Sequence, residues 1–198
     1  MTIADDRAEA LSAARPDRFA RVRQEAFDHA AAHGCDAFPA SALKARELAV
    51  LVRAMHATYA LELRAGLGYS ALHIASSFGH TGHLDAIERD RQHAELASSS
   101  IQRYAMGEHV RLHRGEAGEI LPALSGPYDV AVLDGPLAEA MALYEHIVRL
   151  VRTGGSIISW PGDDDPASAE LLARMAGDDR LLATFGPGLR AVLAVRIR

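Results

Sequence analysis

The chain has 198 residues, 49% of them apolar and 24% charged, and a formal net charge of −5 from 21 Lys and Arg against 26 Asp and Glu. Those are the proportions of an ordinary globule able to bury one good-sized core. The basic residues are scattered, which excludes the electrostatic footprint of a nucleic-acid binder, and no apolar run approaches the roughly 20 residues that span a bilayer.

The first stretch, MTIADDRAEALSAARPDRF, is charged and lacks the apolar segment of a secretory signal. Next, RPDRFARVRQEAFDHAAAHG reads as a helix, with Pro16 near its start and Gly34 as its stop. The single cysteine, Cys35, has no intrachain partner, which fits a reducing cytoplasm, and it is expected to be a buried or loop-edge thiol. PASALKARELAVLVRAMH is a second helix, with Ser41 as its N-cap and Leu43, Leu48, Leu51, Val52 and Met55 as apolar positions.

From residue 57 the pattern alternates. TYALEL reads as a strand and is followed by a helix from Tyr69 to about Phe78. GHLDAIE is the second strand; the helix after it carries Ala94, Ala97, Ile101 and Tyr104 along one face. EHVRLHRG is the third, with a short helix AGEILPAL behind it. YDVAVLD is the fourth, followed by one long amphipathic helix, LAEAMALYEHIVRLVR. GGSIISW is the fifth strand; an acidic loop, PGDDDPAS, and one more helix follow it. RLLATF and RAVLAVRIR, joined by GPG, close the chain as an antiparallel hairpin.

Strands separated by helices imply right-handed crossovers and parallel pairing. The expected fold is therefore α/β: a Rossmann-like, seven-stranded, mostly parallel sheet with a C-terminal antiparallel hairpin and helices on both faces. No repeat or linker divides the chain. One domain of 1–198 is expected, with N-terminal helices over 1–56 and the α/β core over 57–198.

Ligands of such sheets sit beyond the carboxyl ends of the strands. The first strand ends in LELRAGLGYS, where Gly66 and Gly68 let backbone approach a ligand and the following helix offers free N–H groups to an anion. The second ends in IERD and puts Glu88, 22 positions beyond Gly66, where a carboxylate can accept both hydroxyls of a ribose. Gly66, Gly68 and Ala71 satisfy a relaxed dinucleotide fingerprint, which would suit NAD. Glu62, inside the end of the first strand, would crowd a pyrophosphate but suit an amino group, and a seven-strand layout ending in a hairpin is wrong for a dinucleotide domain.

The ordered set LELRAGLGYSALHIA, GHLDAIERDRQHAELA, HVRLHRGEAGEILPAL, YDVAVLDG and IVRLVRTGGSIIS resembles a class I S-adenosylmethionine-dependent methyltransferase, closest to the O-methyltransferase family of caffeoyl-CoA and catechol O-methyltransferases. The likeness spans about residues 39 to 198. It implies that Ala65, Gly66 and Gly68, with Tyr69 and Ser70 opening the helix and Glu62 and Arg64 beside them, hold the methionine part of the cofactor, Ser70 taking its carboxylate. It implies that Glu88, with Arg89 next to it, grips the ribose, and that Glu116 and Ala117 meet the adenine. Asp134, the one catalytic candidate, would lie near the methionine amino group and the reactive methyl. A small-molecule acceptor and a homodimer are implied by the resemblance alone.

Metal-dependent relatives complete a cation site with an Asp-Asn pair after the fifth strand. Here those positions are Trp160 and Pro161, and neither can ligate a hard cation. The lysine base expected three residues beyond Asp134 is Leu137. A metal-independent enzyme is therefore expected, acting on an acceptor that needs little activation. Asp163, Asp164 and Asp165 read as a solvated loop. The pairs His29/His33 and His80/His83 lack a third ligand at a recognisable spacing. Trp160 suits either an apolar acceptor pocket or a core aromatic capping the sheet.

Arg64 stands where such a turn wants a glycine. It must keep φ below zero or accept strain. Its guanidinium either pairs with Glu62, Asp134 or the cofactor carboxylate, or it fills the methionine slot. Three readings result: a metal-independent, O-directed small-molecule methyltransferase, then a non-catalytic module that keeps the fold, then an NAD-dependent oxidoreductase. Binding of S-adenosylhomocysteine, methyl transfer from labelled cofactor and binding of NADH separate them.

Overall fold

The structure, a computed structural model, describes residues 16–35, 38–135, 137–160, 166–186 and 191–198. Two helices come first. Helix α1 (Ala20–His33) stops at Gly34, whose φ of 63° lets its N–H return to the Ala30 carbonyl. Helix α2 (Ala42–Ala54) starts at Ser41, whose hydroxyl accepts the Lys44 N–H at 3.2 Å. Both ends fall where the sequence predicts them.

The core then alternates: β1 (Tyr59–Leu63), α3 (Tyr69–Ser77), β2 (His83–Glu88), α4 (Arg91–Arg103), β3 (Val110–Arg114), α5 (Ala117–Ile120) with a 3-10 turn at Leu121–Ala123, and β4 (Tyr128–Leu133). It continues through α6 (Leu137–Ala142), α7 (Tyr144–Leu150), β5 (Val151–Ser159), α8 (Pro166–Gly177), β6 (Leu181–Gly186) and β7 (Ala191–Arg196). The seven strands lie in the order β3-β2-β1-β4-β5-β7-β6. Strands β1 to β5 pair in parallel, and β7 is antiparallel to both β5 and β6. The α/β fold expected from the sequence, a seven-stranded mostly parallel sheet ending in an antiparallel pair, is the observed one.

Apolar side chains cover both faces. Phe19 before α1, Val22 of α1, Leu48 and Val52 of α2, and Leu72 and Ile74 of α3 pack on one face. Tyr144, Ile147 and Val148 of α7, with Leu171 and Met175 of α8, pack on the other. Within the sheet, Asp85 accepts the Tyr59 and Tyr128 hydroxyls at 2.7 and 2.8 Å and lies 2.7 Å from His113 Nε2. Burial alone would push its carboxyl up, but these partners outweigh that and hold it below the usual value.

One expectation fails. The long helix predicted over 137–152 is two helices, broken at Leu143, and the chain passes directly from Leu150 into β5. Val151 is fully buried in register with Tyr128, so a tertiary strand contact wins over helical periodicity. No helix among the described residues is long and apolar enough to cross a membrane.

Candidate functional site

The strand order reverses between β1 and β4, and the carboxyl ends of β1, β2, β4 and β5 meet around that point. The loop leaving β1 carries three left-handed residues: Arg64 at φ 67°, Gly66 at 52° and Gly68 at 90°. Arg64 therefore takes the strained option, at a cost of about 1–2 kcal/mol. A Cβ on Gly66 would meet nothing within 4 Å, so that turn faces open space, whereas one on Gly68 would be in ordinary contact with the Ala97 backbone of α4 at 3.4 Å. The Ala65 N–H binds the Ile87 carbonyl at 3.0 Å, which joins this loop to the end of β2.

Glu88 makes the same join with its side chain. It is 3% exposed; one carboxylate oxygen accepts the Gly66 N–H at 2.8 Å and the other the Asp90 N–H at 2.9 Å. Each oxygen keeps a second lone pair for a ligand. The Gly115 N–H reaches the Glu88 carbonyl at 3.0 Å, so the turn bearing Glu116 and buried Ala117 lies alongside. Arg89 is exposed beyond the strand end.

Glu62 is 0% exposed, and neither carboxylate oxygen has a hydrogen-bond partner among the described residues. Burial pushes its pKa up to about 8; the Ser70 hydroxyl offsets part of that shift, and the neighbouring Asp134 and Glu88 add to it. A carboxyl buried this completely is costly unless a further donor arrives. The pairing of Glu62 with Arg64 that the sequence allowed is not formed. The Arg64 stem lies instead on Gly135, where any Cβ would collide with its Cδ.

Ser70 is buried in the first turn of α3, facing this cleft. The Tyr69 ring turns the other way. Its hydroxyl donates to Asp17 at 2.7 Å beneath the N-terminal helices, so only its backbone is left for a ligand.

Asp134 is half-buried just after β4. Burial raises its pKa, while the charges of Lys44 and Arg64 and the Gly135 N–H work against that rise. With Lys44, Ser70, Trp160 and the Phe38–Ser41 segment it lines a cavity of about 210 Å³. Trp160 thus walls the cavity and also packs on the core, and its Nε1 is buried without a partner among the described residues. Pro161 and Asp163–Asp165 lie outside the described residues, as does the Leu137 side chain.

Lys44 is the residue the sequence reading missed. It comes from α2, ninety positions before Asp134, and no motif marks it. A second correction concerns histidines: His29 does acquire further potential ligands, because the fold brings Cys35 and His93 to it. His83 opens β2 at the amino end of the sheet, away from the cleft.

The profile of the O-methyltransferase family matches residues 10–162. The chain belongs to that family. It is 28% identical over 150 residues to a catechol O-methyltransferase of Mycobacterium tuberculosis, covering 70% of this chain and 68% of that protein. Among solved structures, the O-methyltransferase TomG from Streptomyces achromogenes, in complex with S-adenosylmethionine, superposes with a TM-score of 0.80 at 20% identity over the full length of both chains. An O-methyltransferase from Bacillus cereus in complex with S-adenosylhomocysteine does so with a TM-score of 0.75 at 22% identity, over 91% of this chain and 92% of that one. The class of reaction is accordingly methyl transfer from S-adenosylmethionine to a small molecule; NAD-linked oxidoreduction has no support.

Proposed function

We propose that the protein, acting as a single domain, methylates an oxygen of a small acidic acceptor without help from a hard divalent cation. The observation that carries this is Lys44 standing beside Asp134 in the cavity walled by Trp160. A hard cation asks for several oxygen ligands. Among the described residues Asp134 is the one carboxylate on that wall, and it is flanked by two cationic side chains and an indole, a donor set that does not fit such an ion.

The residues present do fit the cofactor. Glu62 would accept its amino group, Ser70 and the first N–H groups of α3 would take its carboxylate, Glu88 its ribose, and the Glu116–Ala117 turn its adenine. Bound there, S-adenosylmethionine supplies a methyl already activated on a sulfonium, so positioning does most of what remains. Lys44 then holds the acceptor oxygen in its ionised form, and Asp134 orients the ammonium. Trp160 keeps water off the apolar body of the acceptor.

The test is transfer of labelled methyl to a panel of catechols, acidic phenols and carboxylates in the presence of a strong chelator. Transfer is expected to persist, and Lys44→Met is expected to lower kcat/KM by about 10²–10³-fold with little change in melting temperature. Loss of activity in chelator that Mg²⁺ restores and Zn²⁺ does not would sink the reading without a hard cation, and an unaffected Lys44→Met would remove the lysine from it.

Arg64 gives a second expectation. Its side chain is not part of the cavity lining around Ser70 and Trp160. Arg64→Gly should relieve the left-handed strain and raise the melting temperature by a few degrees, about 2–4 °C per kcal/mol. Affinity for S-adenosylhomocysteine should stay within about threefold, which is under 1 kcal/mol. Tenfold tighter binding in calorimetry would show that the arginine obstructs the methionine slot. The exposed Leu182, Phe185, Val195 and Ile197 on the β6–β7 edge support a homodimer, and the single, half-buried Cys35 supports a cytoplasmic location.

A further inference from the structure

We propose that His29, Cys35 and His93 form a binding site for a thiophilic divalent cation of the zinc type, on the outer flank of the cofactor cleft. One ligand atom from each, two imidazole nitrogens and the thiol sulfur, lie within 4.8 Å of one another. The three come from separate places. His29 sits in the last turns of α1, Cys35 follows the left-handed Gly34, and His93 lies in the first turn of α4. The His29 ring meets His93 edge-on at 5.1 Å, and His33, one turn further along α1, is 4.4 Å from His29.

The geometry needs little adjustment. Metal–ligand bonds of about 2.0–2.3 Å in a tetrahedral site put neighbouring ligand atoms about 3.3–3.8 Å apart, so side-chain movements of roughly an ångström close the set. His33 or a water can take the fourth position. Around the cluster the surroundings suit an ion site: Leu67 and Ala26 form an apolar wall against Cys35, and Glu88 lies 3.8 Å from His93 Nδ1, placed to orient that ring. One thiolate and two imidazoles, with no carboxylate among the three, select a soft or borderline ion over magnesium or calcium. Binding forms a metal–sulfur bond and releases the thiol proton to solvent. An ion there ties α1 to the exit of β2, where Glu88 holds the glycine turn. This site is separate from the Asp134 cavity, and its test does not depend on methyl transfer.

The probe is Co²⁺ titrated into the metal-free full-length protein, followed by absorption. One equivalent is expected to give the charge-transfer band of a cobalt–thiolate bond and the intense visible bands of tetrahedral coordination. Zn²⁺ should displace it, and a large excess of Mg²⁺ should not. Cys35→Ser should abolish the charge-transfer band. His29→Gln should weaken Zn²⁺ binding by more than the roughly 10–100-fold that loss of an outer partner costs. His80→Gln, outside the cluster, should bind as the parent does, and circular dichroism verifies that each variant is folded. A parent protein without the charge-transfer band, or equal affinity in folded Cys35→Ser and His29→Gln, overturns the proposal.

Discussion

Glu88→Ala is expected to weaken binding of S-adenosylhomocysteine by roughly 10²–10³-fold in calorimetry. The Glu88 carboxylate has two tasks at once. Its oxygens already anchor the Gly66 and Asp90 N–H groups at 2.8 and 2.9 Å, and on the proposed function the remaining lone pairs take the ribose hydroxyls. Hydrogen bonds to a charged acceptor contribute about 1.5–3 kcal/mol each, so losing two hydroxyl contacts accounts for the expected factor. The same substitution removes the acceptor that holds the Gly66 and Asp90 N–H groups. A drop in melting temperature of a few degrees should follow, at about 2–4 °C per kcal/mol for a chain of this size. Glu88→Gln keeps one acceptor oxygen but loses the charge, and it should fall between parent and alanine in both measurements. If all three proteins bind the cofactor product alike, Glu88 is a structural tie and not a ribose ligand.

What could be read from the sequence alone follows how local each determinant is. Ser41 and Gly34 mark the helix ends because a cap is a contact between residues three or four apart. The pair Gly66 and Glu88 was legible because one crossover fixes their spacing, and the hydrogen bond between them confirms that proximity. The end of α7 at Leu150 was not legible, because it depends on Val151 finding Tyr128 across the sheet. Lys44 and the His29, Cys35 and His93 cluster were hidden for the same reason. Burial of Ala45, Leu48 and Val52 sets how α2 rests on the core, and only that docking brings Lys44 to Asp134. Arg64 lies between these cases: its position announced the strain, while the direction of its side chain needed Gly135 on a neighbouring strand end.

Glu62 carries the largest predicted effect of pH. Its folded pKa of about 8 stands above the usual 4.5. Between those two values the native protein holds a proton that the unfolded chain has lost, so stability falls as pH rises through that window. Below the window the group has no effect, and above it the full penalty stands, on the order of a few kcal/mol. Glu62→Gln keeps the shape and removes the titration. Its melting temperature should exceed that of the parent by several degrees above pH 8 and converge with it in mild acid. Cofactor binding reverses the advantage. An ammonium arriving at Glu62 favours the carboxylate, so at neutral pH binding of S-adenosylhomocysteine should expel close to one proton. Calorimetry in buffers of different ionisation enthalpy reads that proton directly. In Glu62→Gln the proton release should vanish and affinity should fall about tenfold or more, as expected for losing one charged hydrogen bond. Equal proton release from both proteins would place the amino group elsewhere and leave the buried carboxyl without a ligand. On the proposed function, the group that destabilises the empty protein is thus one that gains when the cofactor binds, because the Ser70 hydroxyl offsets only part of its burial cost and a cation would offset more.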